Sequence, residues 1–157
     1  RKIIEFAYRS GKCACIVVNK WDLVKNVQMY SYVEYIQKNI REGKTLPILF
    51  TSALTGRNVE KILRTALELY ERSKSHFSSN FLNKIIPFIN SKIQKRKSSK
   101  SAFKIYYIIQ AGRMPIKFIV TVNKKGMITE NITRLIENAI RTKCDLRGVS
   151  FFLDYRD

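Results

Sequence analysis

Cys13-Ala14-Cys15-Ile16-Val17-Val18-Asn19-Lys20-Trp21-Asp22 is an unbroken apolar run that ends on polar, loop-forming residues. Continuous apolar character without alternation predicts a short strand of a parallel sheet, buried on both faces. On this reading Cys13 and Cys15 are small core residues. Leu46 to Phe50 is a second such run, with Pro47 near its start, where a missing N–H matters least. Between the two, Asn26 is placed to cap a helix carrying Val27, Tyr30, Val33 and Ile36 or Ile40 on one stripe, stopped near Gly43. Upstream, Ile3, Ile4, Ala7 and Tyr8 recur at helical spacing, and Gly11 ends that helix. Downstream, Asn58 is expected to cap a third helix with Val59, Ile62, Leu63, Ala66, Leu69 and Tyr70 inward. Helix–strand–helix–strand–helix with short loops predicts an α/β unit with parallel strands and right-handed crossovers.

The pattern changes near Ser73, giving an expected boundary between residues 1–73 and 74–157. Lys74 to Ser79 reads as a linker ending in a helix cap. A helix from about Phe81 follows, carrying Leu82, Ile85, Ile86 and Ile89, and Pro87 inside it should kink or restart it. Lys92 to Lys100 is basic and Ser-containing, and is expected to be a mobile loop. Phe103, Ile105, Tyr107 and Ile109 then alternate with Lys104, Tyr106 and Gln110, and Ile116, Phe118, Val120 and Val122 supply a partner strand across the short connection Ala111 to Pro115. A helix from about Asn131 and a strand from Val149 to Leu153 complete an α-β-β-α-β order, a small α+β sandwich.

The chain has 157 residues, 45% hydrophobic and 11% aromatic, which is enough apolar side chain for a core. No apolar run approaches the roughly 20 residues of a membrane span. Thirty Lys and Arg against twelve Asp and Glu leave a formal charge of +18, an attraction for polyanions, nucleic acid first and an anionic membrane surface second. Residues 1–72 carry 13 basic and 7 acidic side chains, and residues 73–157 carry 17 and 5, so the second half is the expected polyanion binder. Three cysteines without paired spacing and a single histidine, His76, make a zinc site or a disulfide framework unexpected and suit a reducing cytosol. The first residues lack a signal-peptide shape and an initiator Met, so the chain is expected to be a piece of something longer.

Asn19-Lys20-Trp21-Asp22 follows the first strand, and Thr51-Ser52-Ala53-Leu54 follows the second, where open α/β sheets place ligands. The chemistry suits guanine. A carboxylate at Asp22 accepts from N1–H and the exocyclic amine, a donor pair that adenine lacks. Asn19 ties the loops together and reaches N7, the stem of Lys20 covers the ring, and the Ala53 N–H donates to O6. Such paired polar contacts discriminate strongly, by up to ~10⁴, because the wrong base leaves a carboxylate unpaired. Trp21 reads as a packing residue.

The Asn-Lys-x-Asp and Ser-Ala pair resembles the guanine-specificity elements of the P-loop GTPases. Val17 to Val24 with Thr51 to Gly56, followed by Phe103-Lys104-Ile105-Tyr106-Tyr107 and the α-β-β-α-β order, resembles the Der (EngA) family of bacterial GTPases over nearly the whole chain. The resemblance implies a partial, Rossmann-like P-loop GTPase sheet over 1–73, holding the second half of the second G domain, and a KH-like domain over 74–157. It implies GTP or GDP at Asn19, Lys20, Asp22, Ser52, Ala53 and Leu54, with magnesium in the longer parent. It further implies a cytoplasmic role in assembly of the 50S ribosomal subunit, with ribosomal RNA and the missing N-terminal G domains as partners, and no membrane.

Nowhere does the sequence contain Gly-x-x-x-x-Gly-Lys-Ser/Thr, and its single Asp-x-x-Gly string, Asp145 to Gly148, falls in the second half, past the expected domain boundary, so no catalytic residue is expected in this chain, no bound metal, and no tight GTP binding by the chain alone. None of its glycines completes the Gly-x-x-Gly clamp of true KH domains. The expected route to RNA is electrostatic, through Lys92, Lys95, Arg96, Lys97, Lys100, Lys104, Arg113, Lys124 and Lys125. Tyr106 and Tyr107 cannot both face the core; one points outward, as a cover for a helix or sister domain or as a stacking platform. The competing readings are a fragment of another GTPase of the same class, or a basic RNA-binding protein with a G-domain remnant.

Overall fold

A computed structural model describes residues 2–96 and 103–157. They form two compact units, one of residues 1–73 with Arg147–Ser150, the other of Lys74–Leu146 with Phe151–Asp157. The expected class, mixed α/β with α+β, is the class observed.

In the first unit, α1 (Lys2–Arg9), β1 (Ile16–Val18), α2 (Met29–Asn39), β2 (Ile48–Phe50) and α3 (Glu60–Ser73) follow in the expected order. β1 and β2 pair in parallel, Val18 opposite Phe50. The first strand is shorter than the apolar run, because the Ala14 N–H bonds the Gly148 carbonyl at 2.9 Å and leaves the β1–β2 ladder. Cys13 and Cys15 are consequently half-buried and not core, and their thiols titrate higher than usual through partial desolvation. Asn26 is no cap; it sits at φ 60°, and α2 begins three residues later. Asn58 also lies in the left-handed region, at φ 59°, and its Nδ2 holds the Phe50 carbonyl at 2.9 Å, fastening the entry of α3 to the end of β2. The inward stripe expected for α3 is a further correction: only Leu69 is buried, while Val59, Leu63 and Tyr70 are exposed. Two strands are too narrow to cover a full helix face.

In the second unit, Ser78 caps α4 (Ser79–Asn83) by accepting from the Phe81 N–H at 3.3 Å. Pro87 restarts the chain as α5 (Ile86–Arg96), where its missing N–H falls in the first turn. The loop expected from Lys92 is helix as far as Arg96, since Ile85, Ile89 and Ile93, spaced one turn apart, are all buried; residues 97–100 lie outside the described residues. β3 (Ile105–Arg113) and β4 (Ile116–Val122) are antiparallel. Thr129 caps α6 (Glu130–Lys143), and β5 (Phe151–Arg156), starting two residues later than expected, runs parallel to β4. Sheet order is β3-β4-β5, with the helices on the face holding Ile105, Ile108, Phe118 and Val120, all fully buried. A bulge between Ile105 and Tyr107 breaks the expected alternation, so Ile108 takes the inward place assigned to Tyr107, and both tyrosines are exposed.

Candidate functional site

Parallel pairing puts the carboxyl ends of β1 and β2 on one side, and short hydrogen bonds bind the loops that leave them. The Thr51 N–H donates to the Val18 carbonyl at 2.9 Å, and the Trp21 N–H donates to the Thr51 carbonyl at 3.0 Å. The Asn19 carboxamide crosses between the loops: its Oδ1 accepts from the Ala53 N–H at 3.1 Å and from the Thr51 hydroxyl at 3.4 Å. Lys20 turns at φ 62°, which swings the chain into a tight helical turn over Trp21–Leu23. Trp21 anchors that turn. It is 6% exposed and packs on Phe50 at 4.4 Å and edge-on to Tyr32 at 5.5 Å between ring centroids. Asp22, next in the turn, is exposed.

On the second loop Thr51 and Ser52 are buried. The Ser52 N–H donates to the Arg57 carbonyl at 3.1 Å, and its hydroxyl accepts from the Thr55 N–H at 3.2 Å, so Ser52 builds the turn from inside. Ala53 and Leu54 face solvent, Leu54 being 86% exposed. Asn19, Lys20, Asp22, Ala53 and Leu54 thus share an accessible edge of the unit, with Ser52 beneath. One expectation differs. The Ala53 N–H assigned to a base O6 is held by Asn19, so a bound purine must share or displace that bond. Sequence reasoning placed Thr51 in the second loop and Asn58 as a helix cap but missed that their side chains fix the loops; a threonine and an asparagine flanking strand and helix ends are the available signal.

The basic residues of the second unit are only partly gathered. Lys104 and Asn123 exchange hydrogen bonds, the Lys104 N–H to Asn123 Oδ1 at 2.8 Å and the Asn123 N–H to the Lys104 carbonyl at 3.1 Å. This places Lys104 beside Lys124 and Lys125 at one end of the sheet, with its Nζ 5.7 Å from the Tyr106 ring centre. Arg113 is at the far end of the nine-residue β3, roughly 25–30 Å away. The side chains of Lys95 and Arg96, and residues Lys97 and Lys100, lie outside what is described. Among the described residues no group of three or more His, Cys, Asp or Glu is placed to hold a metal ion, and no helix is long and apolar enough to cross a membrane.

Residues 76–156 match the model of the KH-like domain at the C-terminus of EngA bacterial GTPase enzymes. The chain is 33% identical over 150 residues to GTPase Der of Caldicellulosiruptor saccharolyticus, covering 94% of this chain and 34% of that protein. It is 32% identical over 157 residues to GTPase Der of Clostridium perfringens, 99% of this chain and 36% of the relative. The Clostridium botulinum GTPase Der is 31% identical over 159 residues, with 100% and 36% coverage. The chain therefore spans about a third of the length of these curated relatives.

Proposed function

Because the chain belongs to the EngA (Der) GTPase family through the C-terminal KH-like domain of those enzymes, we propose that residues 1–73 are the guanine-recognising half of a G domain and residues 74–157 its KH-like partner in RNA binding. Asp22 reads the N1–H and exocyclic amine of guanine, Lys20 covers the ring, and Ala53 leaves room for the base. The single observation that supports this reading is the Asn19 carboxamide spanning both strand-end loops, which fixes one loop against the other before any ligand arrives. A pocket assembled from two bonded loops loses little entropy on binding.

GTP or GDP with magnesium is assigned to the longer protein, since the phosphate loop is not in this sequence. Lys104, Lys124 and Lys125, together at one sheet end, supply positive charge toward ribosomal RNA during assembly of the 50S subunit in the cytoplasm, alongside the upstream G domains. In the longer protein, Asp22→Asn exchanges the carboxylate for a carboxamide, whose NH₂ donates where xanthine carries an oxygen. Preference is expected to move from GTP toward xanthosine triphosphate by at least tenfold in competition binding. An unaltered preference removes Asp22 from base recognition.

A further inference from the structure

Between α5 and α6 lies an open groove of about 630 Å³, whose lining includes none of Lys104, Lys124 and Lys125. Helix α6 buries Ile132, Ile136 and Ile140 on one face. Its positions 131, 135, 138 and 142, spaced at three to four residues, face the groove instead. The floor is Leu135, Ala139 and the Phe88 ring, which is 47% exposed. Lys92, Arg134 and Lys143 stand around it, and no carboxylate is among the residues that line it. Lys92 lies 5.6 Å from the Phe88 ring centre, and Arg134 holds Glu130 at 2.6 Å, which leaves further guanidinium donors free to meet an anion.

Two lysines and an arginine only partly engaged by Glu130 leave the groove with a surplus of positive charge, which calls for an anionic occupant. An acidic helix would need a continuous apolar stripe to lie on, and here carboxamides, Asn131 and Asn138, interrupt it. Paired donors and acceptors on a carboxamide suit base edges and ribose hydroxyls, and an exposed ring suits base stacking. A concave slot between helices admits splayed bases and excludes a duplex, whose bases are stacked inside. We propose that the α5–α6 groove binds a short single-stranded segment of RNA, one base stacking on Phe88, its edge held by Asn131 or Asn138, and its phosphates on Lys92, Arg134 and Lys143. The proposal rests on the RNA-binding reading above and assigns it a surface that owes nothing to a glycine clamp.

The test is fluorescence anisotropy of the full 157-residue chain with a labelled single-stranded oligouridylate of twelve residues, across a salt series. Phe88→Ala, at a half-exposed position, is expected to weaken binding by roughly 5- to 100-fold with an unchanged melting temperature. Lys92→Gln and Lys143→Gln are each expected to flatten the slope of log affinity against log salt by about 0.7. Should Phe88→Ala unfold the chain, Asn138→Leu and the two lysine variants carry the test. Groove variants that bind the oligonucleotide as the parent does overturn the groove while leaving the RNA reading intact. No binding by the parent chain even at low salt overturns both. An acidic helical peptide that binds the parent and is lost in these variants, with no RNA bound, makes the groove a protein site and overturns the proposal.

Discussion

Gly148 shows how much one residue carries. It lies at φ +79°, its N–H donates to the Thr45 carbonyl at 2.8 Å, and a Cβ there would come within 2.4 Å of Leu69 Cδ2 and 2.8 Å of Pro47 Cδ. Gly56 has a similar φ of +74° but open space around it, and Gly126 has neither constraint. The three positions separate backbone strain from crowding. Gly148→Ala is expected to destabilise by about 2–4 kcal/mol, Gly56→Ala by about 1 kcal/mol, and Gly126→Ala by less than about 0.5 kcal/mol. Urea titrations of the three variants check the order, and a Gly148 variant as stable as Gly126→Ala contradicts the crowding argument. That Asn19 ties the two loops was legible from its loop chemistry alone, whereas Gly148 was not: nothing local distinguishes it from the glycine of an ordinary turn.

β3 is an edge strand, and exposed edges invite pairing with other chains. Here carboxamides from the preceding helical segment cover it. Asn90 Nδ2 donates to the Ile105 carbonyl at 3.0 Å while its Oδ1 accepts from the Ile105 N–H at 3.0 Å, and Asn83 Oδ1 accepts from the Ile108 N–H at 2.9 Å. Ile105 is fully buried, so losing Asn90 strands both of its backbone groups away from water. Asn90→Ala is expected to cost about 2–4 kcal/mol, measured as a lower urea midpoint at constant slope, with faster amide exchange at Ile105. Unchanged exchange there would mean the edge is satisfied in another way. The strands and helices themselves were readable as apolar runs and stripes. The bulge at Tyr106 and the amide caps were not, because they depend on which backbone groups a distant helix reaches.

For the molecule as a whole, the charge is the dominant bulk property, and the nucleotide site sets the second expectation. With no phosphate loop in its sequence, the 157-residue chain alone is expected to bind GDP more weakly than micromolar in titration calorimetry, since phosphates and their metal supply most of the attraction. Micromolar affinity would show that the two strand-end loops suffice. The sequence by itself determined the order of elements, the two strand-end motifs, the absent phosphate loop and the +18 charge, because periodicity, spacing and composition are local properties of a chain. Only the tertiary structure decided that Asn19 holds the Ala53 N–H, that both tyrosines of β3 face outward, and that α5 and α6 leave a cationic groove. Those features arise where residues far apart in the chain compete for the same hydrogen bond or the same space, and no single stretch of sequence records the outcome.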